Sequence, residues 1–598
     1  MTVSNTKKNK LIEISGLDIS FSKNEDKPLV VNSVNLTLEK GKMLGVVGES
    51  GSGKTMLALS LLGLLPPGGR ITGGKIIFDG IDLANATQNQ LAKFRGREIG
   101  MIFQEPMMSL NPSLKIGFQL KEGLLSHQDL NRKVAHRLCI EMLEKIRMKE
   151  PETCLNKYPH EFSGGMRQRI MIASVLLMNP RLLIADEPTT ALDVLIQKEV
   201  MEIMVDVADH LGTTILMISH DLGLIAKYAD NVAVMRKGIV VEKGKVDEVI
   251  LKPKHIYTRE LLASLPQRVS DASDCSEVAF SNPFIQIEGL KVQFESSSGL
   301  FSKAHIIKAV DGIDLNLPKG QATAIVGESG SGKTTLGRAI MGLTKSQAGR
   351  VLLKGADITN LGKKMPKRLR KELQMVFQDP FSSLDPRMRI SAIVGEGLRL
   401  QNKKSLVDSQ CLIERTLAEV GLDASFKDRF PHELSGGQRQ RVCIARAIIV
   451  KPEFIVADEP VSSLDVTVQS QILKLIKKLQ EKYEFTYFFI SHDVGVVEQI
   501  ADNIAVMYRG RFVETGSRNE IFKKPTHPYT CRLLESVHQL SSNEAGGYQL
   551  SSRTVIRHEP PKGFIYDDEF DKSNNEFQSN SVQMISLGGT HYVACRPN

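Results

Sequence analysis

The chain has 598 residues, of which 41% are hydrophobic and 24% are charged. This composition is typical of a folded globular protein, and the length predicts at least two domains, because one core rarely serves more than roughly 300 residues. The apolar runs, such as Ile170–Met178, are too short to cross a bilayer, and the first residues, MTVSNTKKNKLIEI, lack the apolar segment of a secretory signal. We therefore expect a protein that stays in the cytoplasm. The net charge of +9 is compatible with nucleotides, anionic lipid surfaces or nucleic acid as binding partners, and it does not distinguish among them.

An internal repeat defines the organisation of the chain. The segment GESGSGKT occurs at residues 48–55 and again at 327–334. Each copy is followed, in the same order, by FQEP or FQDP, FSGGMRQR or LSGGQRQR, ADEP and ISHD. The repeat predicts two domains of similar fold, residues 1–265 and 283–540. A polar segment at 266–282 is predicted to be the linker, and 541–598 a partly disordered C-terminal extension.

Two hydrophobic patterns predict the elements of each domain. Short apolar runs rich in branched residues predict buried parallel strands: MLGVVG, RLLIAD and TILMIS, then TAIVG, EFIVAD and YFFIS. Apolar residues at i, i+3, i+4 and i+7 predict the core face of one amphipathic helix per domain: Val200, Ile203, Met204 and Val207, then Ile472, Leu475, Ile476 and Leu479. Both domains are therefore predicted to be α/β with a parallel-sheet core.

GESGSGKT matches the P-loop pattern GxxxxGK[ST]. In a P-loop, backbone amides wrap the phosphates, the Lys reaches the β- and γ-phosphate oxygens, and the Ser or Thr holds Mg²⁺. The N-terminus of the following helix adds partial positive charge. The predicted nucleotide-binding residues are Gly48, Ser50, Gly51, Ser52, Gly53, Lys54, Thr55 and Met56, then Gly327, Ser329, Gly330, Ser331, Gly332, Lys333, Thr334 and Thr335.

Polar residues after predicted buried strands complete a candidate active site in each copy. In ADEP, the Asp at the strand end is placed to bind Mg²⁺ and the following Glu to polarise the attacking water. The Gln of FQEP or FQDP can reach Mg²⁺ or that water, and the His of ISHD can contact the γ-phosphate. The Mg²⁺ candidates are Thr55, Gln104, Asp186, Thr334, Gln378 and Asp458, and the catalytic candidates are Gln104, Glu187, His220, Gln378, Glu459 and His492. Phe21 and Phe294 are either adenine-stacking residues or ordinary strand aromatics.

Together, these motifs and the ALD and SLD turns resemble the ATP-binding cassette (ABC) ATPases, twice over, and LSGGQ is specific to that family. The resemblance implies ATP and Mg²⁺ as cofactors, and a β subdomain, a parallel-sheet core and a helical subdomain in each domain. It also implies two composite sites, in which the SGG segment of one domain binds ATP held by the other. The SGG residues so implied are Ser163, Gly164, Gly165, Met166, Ser435, Gly436, Gly437 and Gln438. Met166 departs from the pattern, so its site is expected to be the weaker one.

Segments beside these motifs resemble one group of ABC ATPases in particular. FQEPMMSLNPSL, FQDPFSSLDPRMRI, PKHIYTRELL and PTHPYTCRLL resemble ATPase subunits of the dipeptide, oligopeptide, glutathione and nickel importers. This implies ATP hydrolysis that drives import of peptides, with glutathione or nickel as alternatives. It implies two transmembrane permease subunits as partners, an extracytoplasmic solute-binding protein that acts indirectly, and a peripheral location on the cytoplasmic face of the membrane.

The competing class is a soluble tandem cassette ATPase that acts on ribosomes or DNA. Translation factors of that class carry a long charged linker and repair ATPases carry inserted zinc-binding cysteines; the sequence contains neither feature. We therefore expect no nucleic-acid partner. Some importer relatives bind an iron–sulfur cluster through C-terminal cysteines, but Cys595 is the one cysteine in that tail, so no cluster is expected.

Overall fold

The structure is a computed structural model that describes residues 9–21, 29–104, 109–189, 192–265, 283–296, 305–400, 406–462, 464–542, 548–552, 555, 558–561, 563–566 and 582–597. The predicted linker, 266–282, and several segments of the predicted extension lie outside the described residues. Contacts divide the chain into two compact units. Unit one comprises Met1–Leu265 and His538–Ser551, and unit two comprises Pro266–Val537 and Ser552–Asn598.

The strands of unit one form an antiparallel sheet and a mostly parallel one. They are β1 (Lys10–Ser20), β2 (Val31–Glu39), β3 (Met43–Val47), β4 (Arg70–Phe78), β5 (Ile81–Asp82), β6 (Ile99–Ile102), β7 (Leu182–Asp186), β8 (Thr214–Ile218), β9 (Asn231–Arg236) and β10 (Ile239–Lys245). The antiparallel order is β2-β1-β4-β5, and the second sheet runs β10-β9-β3-β8-β7-β6, with β10 antiparallel to β9. Strands β3, β7 and β8 are buried at every residue, so the predicted parallel core is confirmed.

Helices of unit one pack on this sheet and form a separate layer. They are Lys54–Leu61, Gln88–Phe94, Ile116–His127, Arg132–Lys145, Pro151–Leu155, Gly164–Leu176, Val194–Leu211, Leu222–Tyr228, Val246–Val249 and Ile256–Ala263. The helix Ile116–His127 packs against both Arg132–Lys145 and Gly164–Leu176, which gives the helical subdomain that the resemblance implied. In Val194–Leu211 the whole predicted stripe is buried, so its core face is confirmed: Val200, Ile203, Met204 and Val207.

Unit two repeats both sheets. Its strands are β11 (Ile285–Ser296), β12 (His305–Leu317), β13 (Ala322–Val326), β14 (Ala348–Leu353), β15 (Ala356–Asp357), β16 (Leu373–Val376), β17 (Phe454–Asp458), β18 (Thr486–Ser491), β19 (Asn503–Tyr508) and β20 (Arg511–Ser517). The antiparallel order is β12-β11-β14-β15, and the core sheet begins β16-β17-β18-β13-β19-β20. Because β16 to β19 run parallel with β13, their carboxyl ends meet at one edge.

The helices of unit two follow the same order. They are Lys333–Ile340, Lys367–Glu372, Pro380–Ser383, Ile390–Val394, Leu406–Glu419, Gly436–Ile448, Val466–Tyr483, Val494–Ile500, Arg518–Lys523 and Pro528–Glu535. In Val466–Tyr483, Ile472, Ile476 and Leu479 are buried, whereas Leu475 is half-buried. Leu473 is buried in its place, so the core face is rotated slightly from the predicted stripe.

Of the strands after residue 537, some belong to unit one and the others to unit two. They are β21 (His538–Ser542), β22 (Tyr548–Ser552), β23 (Phe564–Tyr566), β24 (Gln583–Gly588) and β25 (His591–Pro597). Strand β25 pairs with β20 and so extends the core sheet of unit two. Strands β21 and β22 pair with each other, and Leu540 lies in the hydrophobic core of unit one. Within the described ranges, no helix combines the length and apolarity needed to cross a membrane.

Candidate active sites

The first P-loop connects β3 to helix Lys54–Leu61, and its backbone requires glycine. Gly48 and Gly53 have φ of +154° and +98°, which residues with a side chain rarely adopt. A Cβ at Gly48 would lie 2.2 Å from Met235 O, and one at Gly53 would lie 2.6 Å from Val30 O. Only glycine therefore lets this loop close, as it must for backbone amides to wrap a phosphate.

The lysine of the first P-loop is held inside the loop. Lys54 is 6% exposed, and its Nζ donates to the carbonyl oxygens of Gly48 and Glu49, each at 2.8 Å. The helix that begins here has no side-chain cap, and its N-terminus carries the partial positive charge that favours an anion. The ammonium group and the helix N-terminus thus converge on one point, as the phosphates of a nucleotide require.

The second P-loop, between β13 and helix Lys333–Ile340, has the same geometry. A Cβ at Gly327 or at Gly332 would lie 2.0 Å from a backbone oxygen. Lys333 Nζ donates to Gly327 O at 2.8 Å and to Glu328 O at 2.7 Å. The remaining predicted P-loop residues lie in the same loops or in the first helical turns: Ser50, Gly51, Ser52 and Met56, then Ser329, Gly330, Ser331 and Thr335.

A threonine and an aspartate lie together beside each P-loop. Thr55 Oγ1 lies 3.4 Å from Asp186 Oδ1, and Thr334 Oγ1 donates to Asp458 Oδ1 at 2.8 Å. Burial raises the pKa of Asp186 to about 6, and it also raises the pKa of Asp458. The other oxygen of Asp458, Oδ2, is buried and has no hydrogen-bond partner in the described part of the chain. A buried carboxylate oxygen beside a hydroxyl is a donor set that fits Mg²⁺.

A glutamate, a glutamine and a histidine meet in unit one. Glu187 Oε2 accepts from Gln104 Nε2 at 2.9 Å and lies 3.4 Å from His220 Nδ1. The backbone N–H of Glu187 donates to Ile218 O at 2.9 Å, which fixes the residue after β7 to the end of β8. Glu187 adopts φ of +48°, a conformation uncommon for Glu that is often found at functional sites.

Unit two forms the same cluster. Glu459 Oε2 accepts from Gln378 Nε2 at 2.9 Å, and Glu459 Oε1 lies 3.1 Å from His492 Nδ1. Glu459 has φ of +45°. The structure therefore brings together the predicted catalytic residues of each copy.

Charge coupling between the glutamate and the histidine is resolved in both clusters. Burial opposes ionisation of Glu459, but the hydrogen bond and charge of His492 outweigh it and lower the pKa of Glu459. In unit one, burial opposes protonation of His220, but the Glu187 carboxylate outweighs it and raises the pKa of His220. An ionised carboxylate oriented by an amide and an imidazole is suited to polarise a water molecule.

The SGG segments start a helix in each unit. Ser163 Oγ accepts from Met166 N at 3.4 Å, at the start of Gly164–Leu176. In the other unit, Ser435 Oγ accepts from Gln438 N at 3.4 Å, and Gln438 Oε1 accepts from Ser435 N at 3.0 Å. The second SGG helix therefore has a reciprocal capping box, which a methionine side chain cannot form. The remaining predicted SGG residues are in the first turns of these helices: Gly164, Gly165, Gly436 and Gly437.

The two candidate adenine-stacking residues are exposed. Phe21, just after β1, is 39% exposed, and Phe294, in β11, is 46% exposed. Exposed rings can present a face to a planar base, so adenine stacking remains a prediction for both.

Two tyrosines that contact the P-loops were not among the predicted site residues. Tyr257 Oη accepts from Glu49 N at 3.3 Å, and Tyr529 Oη accepts from Glu328 N at 3.0 Å. The available signal was their equal position in PKHIYT and PTHPYT, the segments that carried the importer resemblance.

Two parallel-sheet domains, each with a P-loop, a Thr–Asp pair and a Gln–Glu–His cluster, define a tandem P-loop ATPase.

Comparison with known proteins places this ATPase in a family. Residues 31–190 and 310–462 match the model of the ABC transporter family, and residues 241–282 and 513–568 match that of the oligopeptide/dipeptide transporter C-terminal region. The chain belongs to the ABC transporter family.

Named relatives match over nearly the full length. The peptidoglycan transport ATP-binding protein YejF of Agrobacterium fabrum is 44% identical over 537 residues, which cover 89% of this chain and 97% of that protein. The glutathione import ATP-binding protein GsiA of Shigella dysenteriae is 38% identical over 616 residues, covering 98% of this chain and 96% of that protein. Among solved structures, cbiO1 of Clostridium perfringens, part of the ABC transporter complex cbiONQ, is 30% identical with a TM-score of 0.36, covering 41% of this chain and 92% of its own.

Proposed function

We propose that this chain is the ATP-hydrolysing subunit of an importer for peptides or related small solutes. The observation that carries the proposal is the Gln–Glu–His cluster beside a P-loop, which occurs once in each unit. The direction of transport and the class of solute rest on the similarity to the peptidoglycan transport and glutathione import proteins and on the match to the oligopeptide/dipeptide transporter C-terminal region.

Each P-loop would bind the phosphates of ATP through its backbone amides and its lysine, Lys54 or Lys333. Asp186 with Thr55, and Asp458 with Thr334, would hold Mg²⁺, which neutralises charge on the phosphate oxygens when bound. The catalytic glutamate of each cluster would orient the attacking water and take its proton. The glutamine and histidine hold that carboxylate in place.

Two of the sequence predictions extend this proposal. We propose that the SGG residues of one domain bind the nucleotide held by the other, so that both domains contribute to each site. Phe21 and Phe294 are proposed to stack on adenine.

The proposed partners are two membrane permease subunits, and the proposed location is the cytoplasmic face of the membrane. The cargo would be delivered by an extracytoplasmic binding protein, so none of the residues described above is assigned to it. Glutathione is a second candidate cargo, favoured by the 38% identity to a glutathione import protein.

The hydrolytic assignment is tested by changing the glutamates. Because Gln keeps the shape and removes the base, we expect the double variant Glu187→Gln, Glu459→Gln to lose at least about 100-fold in ATP turnover and to retain ATP binding. Glu150→Gln is the control, since Glu150 is a glutamate that also has a left-handed backbone, with φ of +50°. Unchanged turnover in the double variant would overturn the assignment.

The transport assignment is tested by purifying the chain with its permeases in lipid vesicles. Stimulation of ATP hydrolysis by a peptide, or by glutathione, delivered with its binding protein would support import and identify the cargo. Stable association of the chain with ribosomes or DNA, with no response to any solute, would overturn it in favour of the soluble class.

A further inference from the structure

One short helix in each unit carries a residue that contacts the P-loop. Helix Ile256–Ala263 follows β10 and helix Pro528–Glu535 follows β20. Near the start of each helix a buried tyrosine is present, and it is the residue whose hydroxyl accepts from the P-loop backbone. The two units make this contact separately, and the resemblance to importer ATPases assigned no role to it.

The turn before each helix is fixed by a glutamate. Glu242 accepts from Lys254 N at 2.8 Å and from His255 N at 3.1 Å. His255 Nδ1 then accepts from Tyr257 N at 3.2 Å, which caps the helix. A carboxylate that binds two consecutive amides sets the backbone direction into the helix. The histidine cap fixes where the helix begins and therefore where the tyrosine lies.

Unit two builds the turn in the same way. Glu514 accepts from Thr526 N at 2.7 Å and from His527 N at 3.0 Å, and His527 Nδ1 accepts from Tyr529 N at 3.1 Å. Glu514 is fully buried. A buried carboxylate needs such donors to offset its lost hydration, so the turn and the glutamate stabilise each other.

A residue at the end of the neighbouring strand fixes each tyrosine ring. The guanidinium of Arg236, the last residue of β9, lies 4.5 Å from the centre of the Tyr257 ring. Tyr508, the last residue of β19, has its ring centre 4.5 Å from that of Tyr529. Tyr257 is 2% exposed and Tyr529 is 1% exposed. Packing leaves each hydroxyl little freedom to turn away from the P-loop.

We propose that Tyr257 and Tyr529 are positioning residues that set the shape of the P-loop for nucleotide. Each holds the N–H of the second P-loop residue, Glu49 or Glu328, and the lysine of the same loop binds the carbonyl of that residue. With both ends fixed, the peptide groups that follow are aimed in advance at the phosphates, which reduces the entropy lost on binding. This inference rests on the proposed ATP hydrolysis at the same loops.

The C-terminal strand of unit two, β25, contacts the glutamate that fixes the turn before Tyr529. His591, the first residue of β25, has Nε2 2.7 Å from Glu514 Oε1, so Glu514 binds β25 as well as the turn. In unit two, β25 is therefore tied through Glu514 and the turn to Tyr529 and the second P-loop. We expect His591→Ala to weaken nucleotide binding at the second P-loop and to leave the first unchanged.

The test removes the hydroxyl groups and keeps the rings. In the full chain, Tyr257→Phe with Tyr529→Phe deletes one hydrogen bond per P-loop. We expect the Kd of a fluorescent ATP analogue and the KM for ATP to rise about 3- to 10-fold, with kcat within about twofold of wild type, because the contact serves ground state and transition state alike. Hydrogen exchange of the P-loop amides should accelerate.

The matched control is Tyr228→Phe. The Tyr228 hydroxyl is buried and bonds to no group in the described part of the chain, so its loss should change neither Kd nor KM. A wild-type Kd and KM in the double variant would overturn the positioning role while leaving ATP hydrolysis intact. A wild-type chain that binds ATP without hydrolysing it would instead overturn the proposed function, and the Kd comparison would still decide the positioning role.

Discussion

Acidification should destabilise the helix that carries Tyr529, because His527 must remain neutral there. His527 is 2% exposed, and its Nδ1 accepts from Tyr529 N at 3.1 Å. Burial, with the charge of Arg532, lowers the pKa of His527 from 6.5 to about 4. A protonated ring would place a positive charge in a buried site near the charge of Arg532 and would lose the acceptor that caps the helix.

The magnitude follows from proton linkage. The unfolded chain binds a proton to this histidine near pH 6.5, whereas the folded state resists protonation until about pH 4. The contribution of His527 to stability is therefore fully present above pH 6.5 and is lost as the pH falls toward 4. Between pH 7 and pH 5 the loss is about 2 kcal/mol, and the full shift corresponds to about 3 kcal/mol.

Hydrogen exchange of helix Pro528–Glu535 at pH 7 and pH 5, corrected for intrinsic rates, measures this loss directly. In His527→Asn an uncharged acceptor caps the helix at both pH values, so the pH-dependent loss of protection should shrink by about 2 kcal/mol relative to wild type. The equivalent change in unit one, His255→Asn, reports any effect of the Asn cap itself. Equal pH dependence in wild type and His527→Asn would refute the linkage.

Two further predictions concern the P-loop and the SGG helix. A Cβ at Gly332 would lie 2.0 Å from a backbone oxygen, whereas one at Gly330 would meet nothing within 4 Å, and both glycines have positive φ. Gly332→Ala should therefore lower the unfolding temperature of unit two and abolish its ATP binding, while Gly330→Ala costs only about 1 kcal/mol of backbone strain. Met166→Gln should complete the capping box and stabilise helix Gly164–Leu176 by about 0.5–1 kcal/mol, seen as slower amide exchange. ATP turnover should rise, and a fall would contradict the idea that Met166 weakens its site.

Much of the fold was predictable because its signals are local or repeated. Strands such as β7 and β17 are apolar up to the aspartate that ends each one, and that aspartate must lie at the carboxyl edge of the parallel sheet. That edge gathers Glu187 with Gln104 and His220 although they are far apart in the sequence.

Other features depend on packing that no local pattern reports. Leu475 fits the helical stripe but is half-buried, since the neighbouring elements favour Leu473. Leu540 is the last residue predicted for the second domain, yet it lies in the hydrophobic core of unit one. The contact of Tyr529 with the P-loop joins residues 201 positions apart, and only the repeated PxHxYT pattern hinted that the tyrosine has a role.

The two units have the same charged site residues but differ in the residues that position them. Every charged residue of the proposed sites occurs in both: the P-loop lysine, the Asp–Glu pair and the histidine. The differences lie around them: Arg236 covers one tyrosine ring and Tyr508 the other, and only Gln438 completes a capping box. If the two sites hydrolyse ATP at different rates, we expect the cause to lie in these surrounding residues rather than in the charged groups that the sites share. Substitutions at these surrounding positions should therefore shift the balance between the sites, whereas exchange of a charged group should eliminate one of them.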